Sequence, residues 1–99
     1  MNRLWRASLI VAVGAQLGCG GVHYAVVASA ASSRLEEAKA LGAEQFAPYE
    51  YYFAREHLQQ AEVEAAEASY SDAVHLAQEA DEHASSAIAL TQKARRVRP

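Results

Sequence analysis

The run PYEYYFAREHLQQAEVEAAEASYSDAVHLAQEADEHASSAIALTQKAR, Pro48 to Arg95, decides the fold. It holds no glycine and no second proline, and it carries two seams of small apolar residues. Tyr51, Ala54, Leu58, Ala61, Ala65 and Ala68 form the first; Tyr70, Ala73, Ala77, Ala80, Ala84, Ala87, Thr91 and Ala94 form the second. Both step by three and four, the spacing of one face of an α-helix. A single helix continuing the first seam would next place Asp72, His75, Glu79 and Glu82 on it, all polar. The face therefore changes near Ser69, and the spacing predicts two helices, about 48–68 and 70–96, folded back so that their alanine seams meet. One long helix whose halves face different partners is the alternative. Ser69 and Asp72 stand three apart, close to a capping box at the start of the second helix, and no glycine marks the turn.

Working outward, Pro48 suits the first turn of a helix, where its missing N–H is no loss, and Glu50 suits the same end electrostatically. Before it, Tyr24, Ala28, Ala31, Leu35, Ala38 and Gly42 step along one more small-residue face and predict a first helix over about 24–43. Ser32 or Ser33 could instead cap a shorter helix starting near Arg34. Gly42 suits the helix C-terminus, and Gly42 to Ala47 is read as a connection. The fold class is all-α: a signal segment, then a small antiparallel helical hairpin or three-helix unit over 34–96 with alanine-rich seams.

The N-terminus reads as an export segment. Arg3 and Arg6 precede an uncharged apolar stretch, Ala7 to Leu17, and Leu17-Gly18-Cys19-Gly20 follows it. A small residue followed by cysteine at that place resembles a bacterial lipobox, although Gln16 occupies the position where a lipobox prefers an apolar residue. The leading reading is a lipoprotein signal over 1–18, lipidation at Cys19, and a linker or helix start over 19–33 in which Gly20 and Gly21 give slack. Two others stay open: cleavage at Ala28-Ser29-Ala30, or an uncleaved anchor, since no charged residue occurs from Ala7 through Ser33. All three place the body outside the cytoplasm, and the first favours the outer membrane, facing the periplasm, over the inner one.

Charge narrows the partners. The net charge is -3, but all 12 acidic residues lie between Glu36 and Glu82, where the only cations are Lys39 and Arg55; twelve against two leaves that segment at -10. Such a body argues against nucleic-acid binding. Lys93, Arg95, Arg96 and Arg98 follow as a basic tail, which complements a helix C-terminus or meets an anionic partner. Cys19 is the lone cysteine, so no intrachain disulfide staples the fold.

Gly42 to Glu50, then Ala54-Arg55 with Leu58, Ala61, and Tyr70-Ser71-Asp72-Ala73 with Leu76-Ala77 and Ala80, together resemble the bacterial family catalogued as domain of unknown function 4398. The resemblance covers about Leu35 to Ala94. It implies a short helical segment of a Gram-negative envelope lipoprotein, or one placed ahead of an OmpA-like peptidoglycan-binding domain, for which this chain leaves no room. It transfers no catalytic or ligand residue. Ser69 to Ala73 with Ala77 and Ala80 more loosely resembles a tetratricopeptide repeat, without that repeat's usual aromatic positions. One hairpin plus a helix is too little for a superhelical groove.

Chemistry is sparse. His75, Glu79 and His83 step by four, with His57 a further member if the register of the hairpin brings it round, but their phase opposite the seam predicts solvated side chains and no metal site. Glu62, Glu64 and Glu67 read as a solvated face, and no nucleophile constellation or phosphate loop is present. We expect no enzyme and no cofactor. The expected partners are a membrane, through a lipid on Cys19, and a protein of the cell envelope met through Tyr49, Tyr51, Tyr52, Phe53, Arg95 and Arg96. The aromatic run has the plainer role of plugging the open end of the hairpin. The expected function is that of a helical spacer or protein-interaction module; the alternative is a helical subunit of an envelope complex held by an uncleaved N-terminal transmembrane helix.

Overall fold

A computed structural model describes residues 2–97, with side chains from Gly20 to Val97. The export signal read over 1–18 and the lipidation read at Cys19 lie outside the described side chains. Four helices follow in order: α1 (Asn2–Leu41), α2 (Ala43–Phe46), α3 (Pro48–Ala66) and α4 (Tyr70–Val97). Among the described residues there is no strand, and the all-α expectation holds. α4 packs along both α1 and α3, which touch each other less.

Most seam residues are buried where the spacing puts them, but Ala65, Tyr70 and Ala94 are only half-buried and Ala68, beyond the end of α3, is exposed, because the seam runs out at the turn and at the end of α4. Tyr51, Ala54, Leu58 and Ala61 of α3 are buried, as are Ala73, Ala77, Ala80, Ala84, Ala87 and Thr91 of α4 and Ala31 and Ala38 of α1. One cluster joins Ala31, Leu58 and Ala80, and a second joins Ala38, Ala43, Ala47, Tyr51 and Ala87. Each buried methyl contributes only about 0.8 kcal/mol, so the fold relies on helix propensity and close backbone approach more than on bulk. Thr91 is fully buried in its seam with no partner for its hydroxyl.

Three details differ from the expectations. α1 continues without a break through Ser32 and Ser33, both exposed, so neither serine starts a helix near Arg34. Carrying the Ala31–Leu35–Ala38 face across them keeps α1 on α4, which outweighs their local capping tendency. Gly20 and Gly21 are helical and packed rather than slack, since a Cβ built on Gly20 would lie 3.3 Å from Cδ2 of Tyr70. Finally, the 42–47 connection contains the single turn of α2, entered through Gly42 at φ 99. That left-handed conformation favours glycine, which has no Cβ to strain. The Gly42 N–H donates to Lys39 O (3.0 Å), and the Ala47 N–H donates to Ala43 O (2.9 Å).

The hairpin turns where the seam changes phase. α3 ends in a Schellman arrangement: the Ser69 N–H donates to Glu64 O (2.8 Å) and the Ala68 N–H to Ala65 O (3.0 Å). The residue that this motif places in the left-handed region is Ala68, at φ 61. The Ser69–Asp72 capping box does not form. The Ser69 N–H that Asp72 would accept is already given to Glu64 O, and the Ser69 carbonyl accepts the first α4 bond from the Ala73 N–H (2.9 Å).

Candidate functional site

Four consecutive aromatics cannot share one helical face, and α3 divides them. Tyr51 is 4% exposed and fills the core beside Ala38, Ala43, Ala47 and Ala87. Tyr49 is 69% exposed, Tyr52 is partly exposed with its ring edge-on to Tyr51, and the Arg55 guanidinium lies 4.7 Å above the Tyr52 ring. Phe53 is half-buried between two imidazoles: its centroid is 3.8 Å from that of His57, stacked, and 3.7 Å from that of His83, tilted. Pro48, Tyr49, Tyr52, Phe53, Glu56 and His57 line an open, almost wholly apolar groove of about 430 Å³.

His57 and His83 are less solvated than their phase suggests, because the hairpin register gives each a carboxylate; His75 stays exposed and meets Glu79 within its own helix. His83 Nδ1 donates to Glu50 Oε2 across the hairpin at 2.6 Å. His57 donates through Nδ1 to its own helix at Phe53 O (3.0 Å) and turns Nε2 toward Glu79 Oε2 at 3.4 Å; His75 Nε2 is 3.3 Å from the other Glu79 oxygen. His57 is thus brought round as far as Glu79, while His83 is drawn away to Glu50. Among the described residues no group of three His, Cys, Asp or Glu is placed to hold a metal ion.

α1 is tied to α4 through Arg34. Its Nε is 2.9 Å from Asp81 Oδ1, an ion pair aligned too poorly to count as a hydrogen bond, and its Nη1 donates to Ser85 Oγ at 2.7 Å. Ser85 Oγ in turn donates to Asp81 O at 2.9 Å. Near the hairpin turn, burial first and the Glu62 carboxylate second raise the pKa of Tyr24 above the usual phenol value.

At the opposite end, Arg95 Nη1 donates to Leu41 O at 3.2 Å, satisfying a carbonyl at the C-terminus of α1. Arg96 is exposed. Beside them Phe46, Leu90, Lys93, Ala94 and Val97 line a second open groove, of about 470 Å³, with Leu90 46% and Val97 78% exposed. The sequence reading did not single out Lys93, Leu90 or Phe46 as a group. The available signal was that Leu90 and Val97 are large apolar residues off the α4 seam. A smaller hollow of about 250 Å³ lies beside Gly20, His23, Tyr70, Ser71 and Val74. The structure thus brings Tyr49, Tyr52 and Phe53 together in one groove, puts Tyr51 inside, and places Arg95 and Arg96 by another.

These features define a small all-α unit with alanine seams and open apolar grooves. The family model described as Domain of unknown function (DUF4398) matches residues 28–97, and the chain belongs to that family. No curated protein and no solved structure matches it. Among the residues whose side chains are described, 20–97, no helix is long and apolar enough to cross a membrane.

Proposed function

We propose that this chain is a non-enzymatic lipoprotein of the cell envelope, anchored through Cys19 at the outer membrane and facing the periplasm, whose helices act as a spacer and protein-interaction module. The observation that carries the reading is positional. Cys19, in its lipobox-like setting, immediately precedes Gly20, where α1 meets Tyr70 at the hairpin-turn end of the unit. A lipid there holds one end of a stiff body at the membrane and leaves the other end free. From Gly20 to Leu41 the helix rises about 33 Å at 1.5 Å per residue. Open apolar grooves near that free end give a partner protein somewhere to dock. Detergent partitioning of the parent and of Cys19→Ala tests the anchor: the variant should move to the aqueous phase, and equal membrane association rejects lipidation as the tether.

A second reading is a subunit of an envelope complex held by an uncleaved N-terminal transmembrane helix. The unbroken course of α1 from Asn2 to Leu41 favours it, because an uncleaved anchor would feed straight into the packed unit. An intact N-terminus by mass spectrometry selects this reading, and an acylated Cys19 selects the first.

A further inference from the structure

Among the described residues four of the six Lys and Arg side chains are engaged internally. Arg34 meets Asp81, Lys39 meets Glu44 (3.8 Å), Arg55 meets Glu56 (3.4 Å) and Arg95 binds Leu41 O. Lys93 and Arg96 alone among them engage no carboxylate or carbonyl. Both lie in the closing turns of α4, and Lys93 lines the groove shared with Phe46, Leu90 and Val97. A helix dipole accounts for cations at that end. It does not account for Leu90 and Val97, large apolar side chains left 46% and 78% exposed on either side of them.

We propose that this groove docks an acidic segment of a different protein, which sets a large apolar side chain against Phe46 and Leu90 and its carboxylates toward Lys93 and Arg96. The groove, about 470 Å³, has room for such a side chain, and its apolar walls supply the contact area. The charge distribution selects the site: the body from Glu36 to Glu82 repels an acidic partner, so attraction is confined to the end carrying the two unengaged cations. The choice of a protein over a lipid surface, and of a different chain over a second copy, rests on the anchored reading given above. With Cys19 at the membrane, the groove stands about 33 Å from the bilayer along α1. The self-match offered by this chain, Glu62-Val63-Glu64 with Val63 half-exposed, lies beside the hairpin turn at the membrane end. Copies standing side by side keep those two sites at different heights.

The test places the photo-crosslinking residue p-benzoylphenylalanine at position 90 of the full chain, and at exposed position 59 as a control, in cells that express it natively. The expected result is a protein adduct at position 90 and none at 59, mapped by mass spectrometry to a stretch of another chain rich in Asp and Glu around an aliphatic or aromatic residue. Lys93→Glu combined with Arg96→Glu should lower its yield by about tenfold or more, with helicity unchanged by circular dichroism. A lipid adduct, an adduct to a second copy, a partner stretch without acidic residues, insensitivity to the charge reversals, or no adduct from a folded protein each overturns the proposal. The intact mass from the same cells reports acylation of Cys19 separately. An acidic-protein adduct without acylation keeps the docking site and removes the anchor; acylation without the adduct does the reverse.

Discussion

Replacing Ala68 by glycine should stabilise the protein, although it removes a methyl group and loosens the unfolded chain. Ala68 sits at φ 61 as the left-handed residue of the Schellman turn, a region that costs a residue with a Cβ roughly 1–2 kcal/mol and glycine essentially nothing. Its side chain is exposed, so no packing is lost. Against the gain stands the greater conformational freedom of glycine when unfolded, about 0.4–1 kcal/mol. The balance favours Ala68→Gly by about 0.5–1 kcal/mol. Urea unfolding followed by circular dichroism should show the midpoint rising by roughly 0.5 M, taking a slope of about 1–2 kcal/mol per M for a chain of this size. Ala89→Gly makes the same chemical change at an exposed position inside α4 and should cost about 1 kcal/mol. If both variants lose stability equally, residue 68 is not left-handed and the turn between α3 and α4 is closed in some other way.

Gly42→Ala is the converse: at φ 99, with Phe46 3.3 Å from the new Cβ, it should destabilise by about 1–2 kcal/mol in the same unfolding assay. Ala77→Leu and Ala80→Leu, at fully buried seam positions, should each lose about 1–3 kcal/mol by overpacking, while exposed Gln78→Leu stays within about 0.5; equal losses at all three would place the seam in solvent. Thr91→Val keeps the shape and removes a buried hydroxyl without a partner, so thermal unfolding should report a gain of about 1 kcal/mol. Tyr24 has its pKa raised in the folded state by burial and then by Glu62, so its contribution to stability is complete below the unfolded phenol value of 10.0 and is lost as pH rises from there through the folded pKa. An NMR titration of the ring should give a midpoint above that value, and Glu62→Gln should bring it part of the way back.

How much was legible in the sequence follows from what alanine encodes. Its three-and-four spacing fixes which face of each helix is buried, and the change of phase between Ala68 and Tyr70 locates the hairpin turn, because both are properties of one helix at a time. The mutual placement of helices is a different matter. Nothing in the spacing of His83 predicts Glu50 as its partner, or Asp81 as that of Arg34, since those pairs depend on axial register between helices and a run of near-identical small residues leaves register open. The left-handed turn residue went unmarked because it is an alanine where glycine would have signalled it. The groove by Lys93 is legible only in part: Leu90, Lys93, Ala94 and Val97 share one face of α4 by their spacing, but Phe46 joins them only once α2 is laid beside the end of α4.

The alanine seams also bear on how such a body would respond to force. Leucine-rich helices interlock, so sliding one along another means lifting side chains out of holes, whereas methyl groups present a shallow, repeating surface with little resistance to shear. Resistance to an axial pull would then be concentrated in a few cross-links, the Arg34 bridge to Asp81 and Ser85, the Glu50–His83 contact and the Phe53 ring held between two imidazoles. Under tension α4 would slip by discrete steps between equivalent alanine positions once those latches opened, yielding gradually instead of fracturing at one load.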